Sequence, residues 1–306
     1  MTEPTIHEIT ASEEDRRQRL DMVLVRHLPD FSRSKIQSLI KAGRVTLQGE
    51  TVRSSDEVQC GDLFVIEEEP PKPPAGARPE NIPLEILHED PDLLVVNKPA
   101  GMVVHIGAGH EEGTLVNALL HYGGTLSAGS EEHRPGIVHR LDKETSGCIV
   151  VAKNDQTHAA LSKQFADRQV KKTYLAIVRG RPRHVKGTID LAIGRHPVNR
   201  QKMTPRRPPS GREAVTDYEI LSVHEGHSLI ACMPRTGRTH QIRVHLQHLG
   251  HPIAGDPLYG KRDQFERHLL HAWKLEFTHP RTGDILSCTA PLPADFGIVP
   301  LPAKKR

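Results

Sequence analysis

Apolar and polar positions along the chain follow two rhythms, one helical and one alternating. In residues 31–44, at about 100° per residue, Ile36, Leu39 and Ile40 share one arc, and Arg33, Gln37, Lys41 and Arg44 share the next. This predicts a short helix with Ser32 as N-cap and Gly43 just past its end, one face packed and the other presenting cations. Residues 44–52 read as a hairpin turning near Gln48-Gly49, and 62–66 as a closing strand. Further on, β-like runs fall at 93–96, 148–152, 173–178, 215–221, 229–233 and 275–277, with fewer helical patterns at 114–121, 156–168 and 239–249. The mixture predicts an α+β fold with a mixed, largely antiparallel sheet. No G-x-G-x-x-G or G-x-x-x-x-G-K-[ST] string supports a doubly wound nucleotide fold.

Residues 70–83 hold six prolines and Gly76, which neither a helix interior nor a central strand accommodates, and predict an extended linker. It separates a small domain at 16–69 from a large one at 84–298, with a C-terminal tail at 299–306. Residues 1–15 carry Glu3, Glu8, Glu13, Glu14 and Asp15 without Lys or Arg, and read as an acidic disordered tail. Setting that tail aside makes the remainder more basic than the net +3 of the 306-residue chain, a weak pointer to an acidic partner. Aromatic residues are only 4% of the chain, so base stacking must fall to a few positions. Cys60, Cys148, Cys232 and Cys288 form no C-x-x-C pair, which argues against a disulfide framework or a cysteine zinc site and fits a reducing cytoplasm. No run of eighteen apolar residues and no leader pattern occurs, so a soluble monomer without a membrane partner is expected.

Candidate chemistry gathers in residues 137–147, Ile-Val-His-Arg-Leu-Asp-Lys-Glu-Thr-Ser-Gly, where ionisable groups crowd between apolar runs. On the residues alone this is a ligand-facing loop or a solvated turn. Tyr174 alternates with Ala176 and Val178 along a strand, where it fits a core as readily as a site. Residues 239–250 read as a capped helix with Ile242, Leu246 and Leu249 as its packing stripe and Arg243 among its polar positions. His240 and His245 lie five apart without an H-E-x-x-H string, so no metal site is expected there. Residues 195–212 contain Arg195, Arg200, Lys202, Arg206, Arg207 and Arg212 but no acid, and read as a long exposed insertion, either solvated or tracking phosphates.

Two resemblances sharpen this reading. Arg19-Leu20-Asp21, Ser32-Arg33, Gln37, Leu39-Ile40, Gly43-Arg44-Val45 and Gly61-Asp62 resemble the S4 RNA-binding domain, which implies RNA contact through Arg33, Lys41 and Arg44. His139-Arg140-Leu141-Asp142-Lys143-Glu144-Thr145-Ser146-Gly147 resembles the signature of the RluA-type family of pseudouridine synthases. Further matches follow at Asn97-Lys98-Pro99-Ala100-Gly101, Lys172-Thr173-Tyr174, residues 236–245 and Asp256-Pro257-Leu258-Tyr259-Gly260. Arg195-His196-Pro197, Lys202-Met203 and the leading S4-like module are most similar to the subgroup that modifies large-subunit ribosomal RNA.

The resemblance implies a pseudouridine synthase catalytic domain in which Asp142 is the catalytic aspartate, Tyr174 an active-site aromatic and Arg243 the partner of Asp142. His139, Arg140, Arg238, His240, Arg206 and Arg207 are the expected RNA contacts. The reaction breaks N1–C1′, turns the uracil and joins C5 to C1′; no atom is gained or lost, so no cofactor is expected. A carboxylate serves either by attacking C1′ or by removing a sugar proton. An adjacent guanidinium favours its charged form, and the planar fork of Arg243 is expected to hold both oxygens of Asp142. A transfer RNA substrate and a non-catalytic RNA-binding or ribosome-assembly role are the competing expectations, and the intact Asp142, Tyr174 and Arg243 set argues against the second. A hydrolase needs a metal constellation or paired carboxylates. A zinc deaminase lacks its Pro-Cys-x-x-Cys string, and a kinase lacks its Gly-rich loop.

Overall fold

The computed structural model describes residues 5–29, 31, 33–68, 78–106, 112–123, 126–127, 135–261 and 263–299. The N-terminal unit runs β1 (Thr5–Thr10), α1 (Leu20–His27), α2 (Arg33–Lys41), β2 (Val45–Leu47), β3 (Glu50–Thr51) and β4 (Leu63–Glu68). Its strands form an antiparallel sheet in the order β1-β4-β2-β3. Helix α2 ends where Gly43 was expected to end it: the Gly43 N–H donates to Ile40 O at 3.0 Å and the Arg44 N–H to Leu39 O at 2.9 Å, a Schellman closure. Gln48 and Gly49 turn the β2–β3 hairpin with φ of 52° and 87°, the paired positive values of a type I′ turn. Val23, Leu24, Ile36, Val45, Phe64 and Ile66 make the core. The expected N-cap, Ser32, lies outside the described residues.

The expectation of a disordered acidic tail is corrected. Thr5–Thr10 pairs along β4 with His7 opposite Ile66, and buries Ile9 in the core. One of the acids that suggested a tail is a local fastener: buried Asp15 accepts from the Ser12 N–H at 2.8 Å and meets His27 Nε2 at 2.9 Å. Burial pushes the Asp15 carboxyl up, but these hydrogen bonds outweigh it and hold the pKa at about 2. Of the predicted linker, 70–77 lies outside the described residues, whereas 78–83 lies against the large unit, with Asn117 Nδ2 donating to Arg78 O at 2.8 Å.

The large unit continues with β5 (Glu85–Glu89), β6 (Leu93–Lys98), α3 (Leu115–Tyr122), β7 (Ser146–Ala152), α4 (Asp155–Ala166), β8 (Lys171–Arg179), β9 (Lys186–Asp190), β10 (Ile193–Arg195), β11 (Met203–Pro205), β12 (Val215–His224), β13 (His227–Pro234), α5 (Gln241–His248), β14 (Leu270–Thr278) and β15 (Ile285–Thr289). Among the described residues its main sheet runs β5-β6-β7-β14-β8-β13-β12-β9, with β15 on β14, and every pairing is antiparallel except β7 with β14. Strands β6 and β7 bury both faces and therefore read as continuous apolar runs. Leu94, Val96, Ile149 and Val151 pack under Leu115, Val116 and Leu119 of α3; Leu93, Val95 and Val150 pack under Leu161 of α4. Leu175, Ile177, Leu229 and Ile230 hold Ile242 and Leu246 of α5.

The parallel contact is short: His271 faces Ser146 and Ala272 faces Gly147, after which β14 turns to β15. Gly147 has φ of 110°, and a β-carbon there would lie 2.2 Å from Ala272 O. The glycine lets the two backbones meet just after the Asp142 loop. Within the basic insertion at 195–212, β10 and β11 pair as a hairpin, with Arg195 opposite Met203, and the Arg206 N–H returns to Ala192 O at 2.8 Å.

Candidate active site

Asp142 sits on a turn entering β7, closed by the Thr145 N–H on Asp142 O at 3.0 Å. Leu141 anchors one side in the core. The fully buried Lys98 ammonium donates to Pro99 O, Met102 O and Lys143 O at 2.7, 2.8 and 3.0 Å, using all three of its protons. Burial is the main reason its pKa falls to about 7. Arg267 donates to Glu144 O at 3.0 Å, and Thr145 Oγ1 meets His268 Nε2 at 2.9 Å. Backbone after Asp142 is thus tied to buried side chains, while its carboxylate remains partly exposed to a cleft of about 140 Å³.

Arg243, buried on α5, donates from Nη1 to Asp142 Oδ2 at 3.1 Å. Its fork holds a different acid: Nε and Nη2 reach the two oxygens of buried Asp256 at 2.7 and 3.0 Å. The expectation that the fork spans both oxygens of Asp142 is corrected: the Nε/Nη2 edge is taken by Asp256, and only Nη1 meets Asp142, at one oxygen. Asp256 is itself fixed by the N–H groups of Leu258 and Tyr259 at 2.9 and 3.0 Å. Burial would raise the Asp256 pKa, but the Arg243 fork and these backbone donors leave it lowered. Burial would lower the guanidinium of Arg243, but Asp256 and then Asp142 leave it raised. The start of α5 is held by Gln241, whose Oε1 accepts from Thr236 Oγ1 at 2.7 Å and the Arg238 N–H at 3.0 Å.

Tyr174 on β8 packs its ring against both halves of the core and also lines the Asp142 cleft, so the two readings of this residue hold together. Burial, then Asp142, pushes the phenol above its ordinary pKa. His240 adopts φ of 56° at the head of α5 and brings Nε2 to 3.8 Å from Asp142 Oδ2. Its Nδ1 lies 2.8 Å from the Tyr259 hydroxyl, which accepts from the Met203 N–H at 2.8 Å. This chain links the basic hairpin to the cleft. Asp142 is the one carboxylate lining that cleft among the described residues.

Of the other expected contacts, Arg140 and Arg238 border the cleft, with Arg140 Nη1 3.4 Å from His105 Nε2 and Arg238 Nε on Glu213 O at 3.0 Å. His139 is held in place, its Nε2 accepting the Val150 N–H at 3.0 Å and its ring stacking on Phe165 at 4.6 Å, and burial lowers its pKa to about 3; the half-buried ring borders the space beside the Asp142 cleft. His245 is likewise internal, bonded to Thr216 Oγ1 and Leu191 O at 2.9 and 3.0 Å. In the N-terminal unit Arg33 is tied to buried Asp21 at 2.9 Å and Arg44 to Glu67 at 2.8 Å, while Lys41 is exposed. Arg206 is half-buried against Gly194, and Arg207 is exposed. Asp256, Tyr259 and Lys98 were present in the matched strings, but nothing local in the sequence assigns them a partner. Asp90, Asp92 and His279 have metal-like spacing. His279 Nδ1, however, accepts the Arg281 and Thr282 N–H groups, so Nε2 carries the proton it gives to Asp90 at 3.1 Å, and Arg281 faces Asp92 at 2.6 Å. His279 and Arg281 thus hold the two acids in place.

Comparisons with known proteins agree with this geometry. Residues 92–248 match the family described as RNA pseudouridylate synthase, and residues 18–64 match the S4 domain. The chain is 45% identical to the uncharacterized RNA pseudouridine synthase YlyB of Bacillus subtilis, covering 94% of this chain and 95% of that protein. It is 44% identical to ribosomal large subunit pseudouridine synthase D of Zymomonas mobilis, covering 95% and 96%. Human RNA pseudouridylate synthase domain containing 1 superposes with a TM-score of 0.56 at 30% identity, over 69% of this chain and 84% of that one. The chain belongs to the RNA pseudouridylate synthase family and carries an S4 domain ahead of its catalytic unit.

Proposed function

We propose that this enzyme converts uridine to pseudouridine in large-subunit ribosomal RNA, with Asp142 as its catalytic carboxylate. The observation that carries the assignment is the single cleft carboxylate held by a buried arginine. Glycosidases that recruit water use paired carboxylates, whereas an isomerisation needs one. In this reading Asp142 attacks C1′ or takes the neighbouring sugar proton, N1–C1′ breaks, and the turned uracil rejoins through C5, whose proton leaves as N1 gains one. Arg243 sets the carboxylate's orientation. Tyr174 stacks on the flipped uracil, and its phenol, kept protonated, passes on a proton only as it receives one. The ribosomal target is supported by the name of the relative from Zymomonas mobilis.

The test pairs pseudouridine mapping in total RNA, with and without the protein, with the purified Asp142→Asn variant. The expected outcome is one or a few ribosomal sites lost without the protein, and a variant that binds RNA but forms no product. Product from Asp142→Asn at near wild-type rate rejects the role of Asp142; sites lost only from transfer RNA reject the target.

A further inference from the structure

Beside the Asp142 cleft lies a second one of about 370 Å³, and Arg140, Lys172, Tyr174 and Arg238 line both. The second cleft is also bordered by Phe165, Arg168 and Arg235, and by no Asp or Glu. Two of its cations are already neutralised: Arg168 by a two-bonded contact to Glu213 and Arg235 by one to Asp217. Lys172 is different. It is half-buried, stands two residues before Tyr174 on the same face of β8, and has no hydrogen bond or ion pair among the described residues. Its Nζ lies 3.9 Å from where a β-carbon on Gly237 would sit, next to Arg238. Burial first, and the Arg238 charge second, lower its pKa. Arg238 spends Nε on the Glu213 carbonyl, and no described residue bonds its terminal nitrogens.

Two neighbouring cations with no anion between them repel each other, and a partly desolvated ammonium without a counter-charge costs free energy. An anion between them removes both penalties. A uridine turned into the Asp142 cleft brings its phosphodiesters to the rim, where Arg140, Lys172, Tyr174 and Arg238 are shared by the two clefts. We propose that Lys172, with Arg238, binds a phosphodiester flanking the target uridine, and that the second cleft seats the adjoining nucleotide beside Phe165. This rests on the reading of the chain as an RNA uridine isomerase.

The probe is a synthetic RNA hairpin containing a uridine that the wild-type chain converts, made also with a neutral methylphosphonate at each phosphate within two nucleotides of it. Wild-type protein is expected to lose roughly tenfold or more in affinity at one flanking position, the size of one charge-assisted hydrogen bond. Lys172→Gln binds the unmodified hairpin correspondingly more weakly, loses nothing further at that position, and shows a salt slope smaller by about 0.7–0.9. The loss falls on affinity more than on the single-turnover rate at saturating RNA. Arg238→Gln gives a second reading should Lys172→Gln fold poorly by thermal melting. Conversion by wild type without any sensitive flanking phosphate, or equal sensitivity of wild type and both variants, overturns the subsite while leaving the reaction assigned. A wild-type chain that converts no uridine in ribosomal or transfer RNA defeats the underlying reading instead.

Discussion

Arg243 serves two carboxylates, and the division of its donors says what each is for. The fork is committed to Asp256, so the arginine is a fixed strut and only Nη1 addresses Asp142. An ammonium has no planar fork: its three N–H bonds diverge from one nitrogen, so it cannot both span the two oxygens of Asp256 and reach Asp142 as the guanidinium does. Arg243→Lys is therefore expected to lower single-turnover conversion by roughly a hundredfold or more, and to destabilise the fold by about 3–5 kcal/mol, because Asp256 is left as a buried acid with a poor partner. Urea unfolding and single-turnover kinetics measure the two losses, and wild-type values of both would remove the strut from the mechanism. The pairing of Arg243 with Asp142 was legible in the sequence because both stand in long matched strings. Its larger commitment to Asp256 was not, because which acid receives the fork depends on how residues 256–259 turn under α5.

At the scale of elements, the central crossing of the sheet depends on one position. Gly147 combines a backbone angle closed to ordinary residues with a neighbour that leaves no space for a β-carbon, and it lies five residues from Asp142. Gly147→Ala is expected to cost at least about 2 kcal/mol, more than a surface substitution, since positive-φ strain and a backbone clash add. Activity should fall further than stability alone explains, because β7 carries the Asp142 turn; denaturant unfolding beside kinetics at low temperature separates the two effects. The strands and helices that the hydrophobic pattern predicted are present because their signal is local: both faces of β6 and β7 are buried, and α3 and α4 cover them. What the pattern missed needed distant partners. Strand β1 forms only against β4, some sixty residues away, and the basic run becomes a hairpin through pairing that charge does not reveal. The internal partners of His139 were hidden for the same reason, since they are the Val150 backbone and Phe165 across two other elements.

Across the whole molecule, buried neutral histidines tie stability to pH. Burial lowers His268, and lowers His271 from 6.5 to about 4, so the folded chain refuses protons that the unfolded chain accepts. Their contribution is complete above about pH 6.5 and is lost as pH falls towards the folded values, by roughly 1–2 kcal/mol per histidine at pH 5. The melting temperature should drop by several degrees between pH 7 and pH 5, and a flat profile would show that these histidines ionise in place. The cores divide the chain more sharply than the linker does. The N-terminal core draws on residues 9–66, and the described clusters of the catalytic unit begin at Ile82, with no residue shared. The Lys35–Asp155 ion pair, at 3.4 Å, crosses between them. A partly exposed pair of that kind is worth little, so the S4 domain is expected to add little to the stability of the catalytic unit. Removing residues 1–69 is expected to leave cooperative unfolding and conversion at saturating RNA close to those of the full chain. Affinity should fall tenfold or more, with a shallower dependence on salt, because Lys41 and the outer faces of Arg19 and Arg33 leave with the domain. Titration of both forms with one RNA at two salt concentrations decides the matter. Equal affinities and equal slopes would mean that the S4 domain contributes no phosphate contact, and that the cations of the catalytic unit hold the substrate alone.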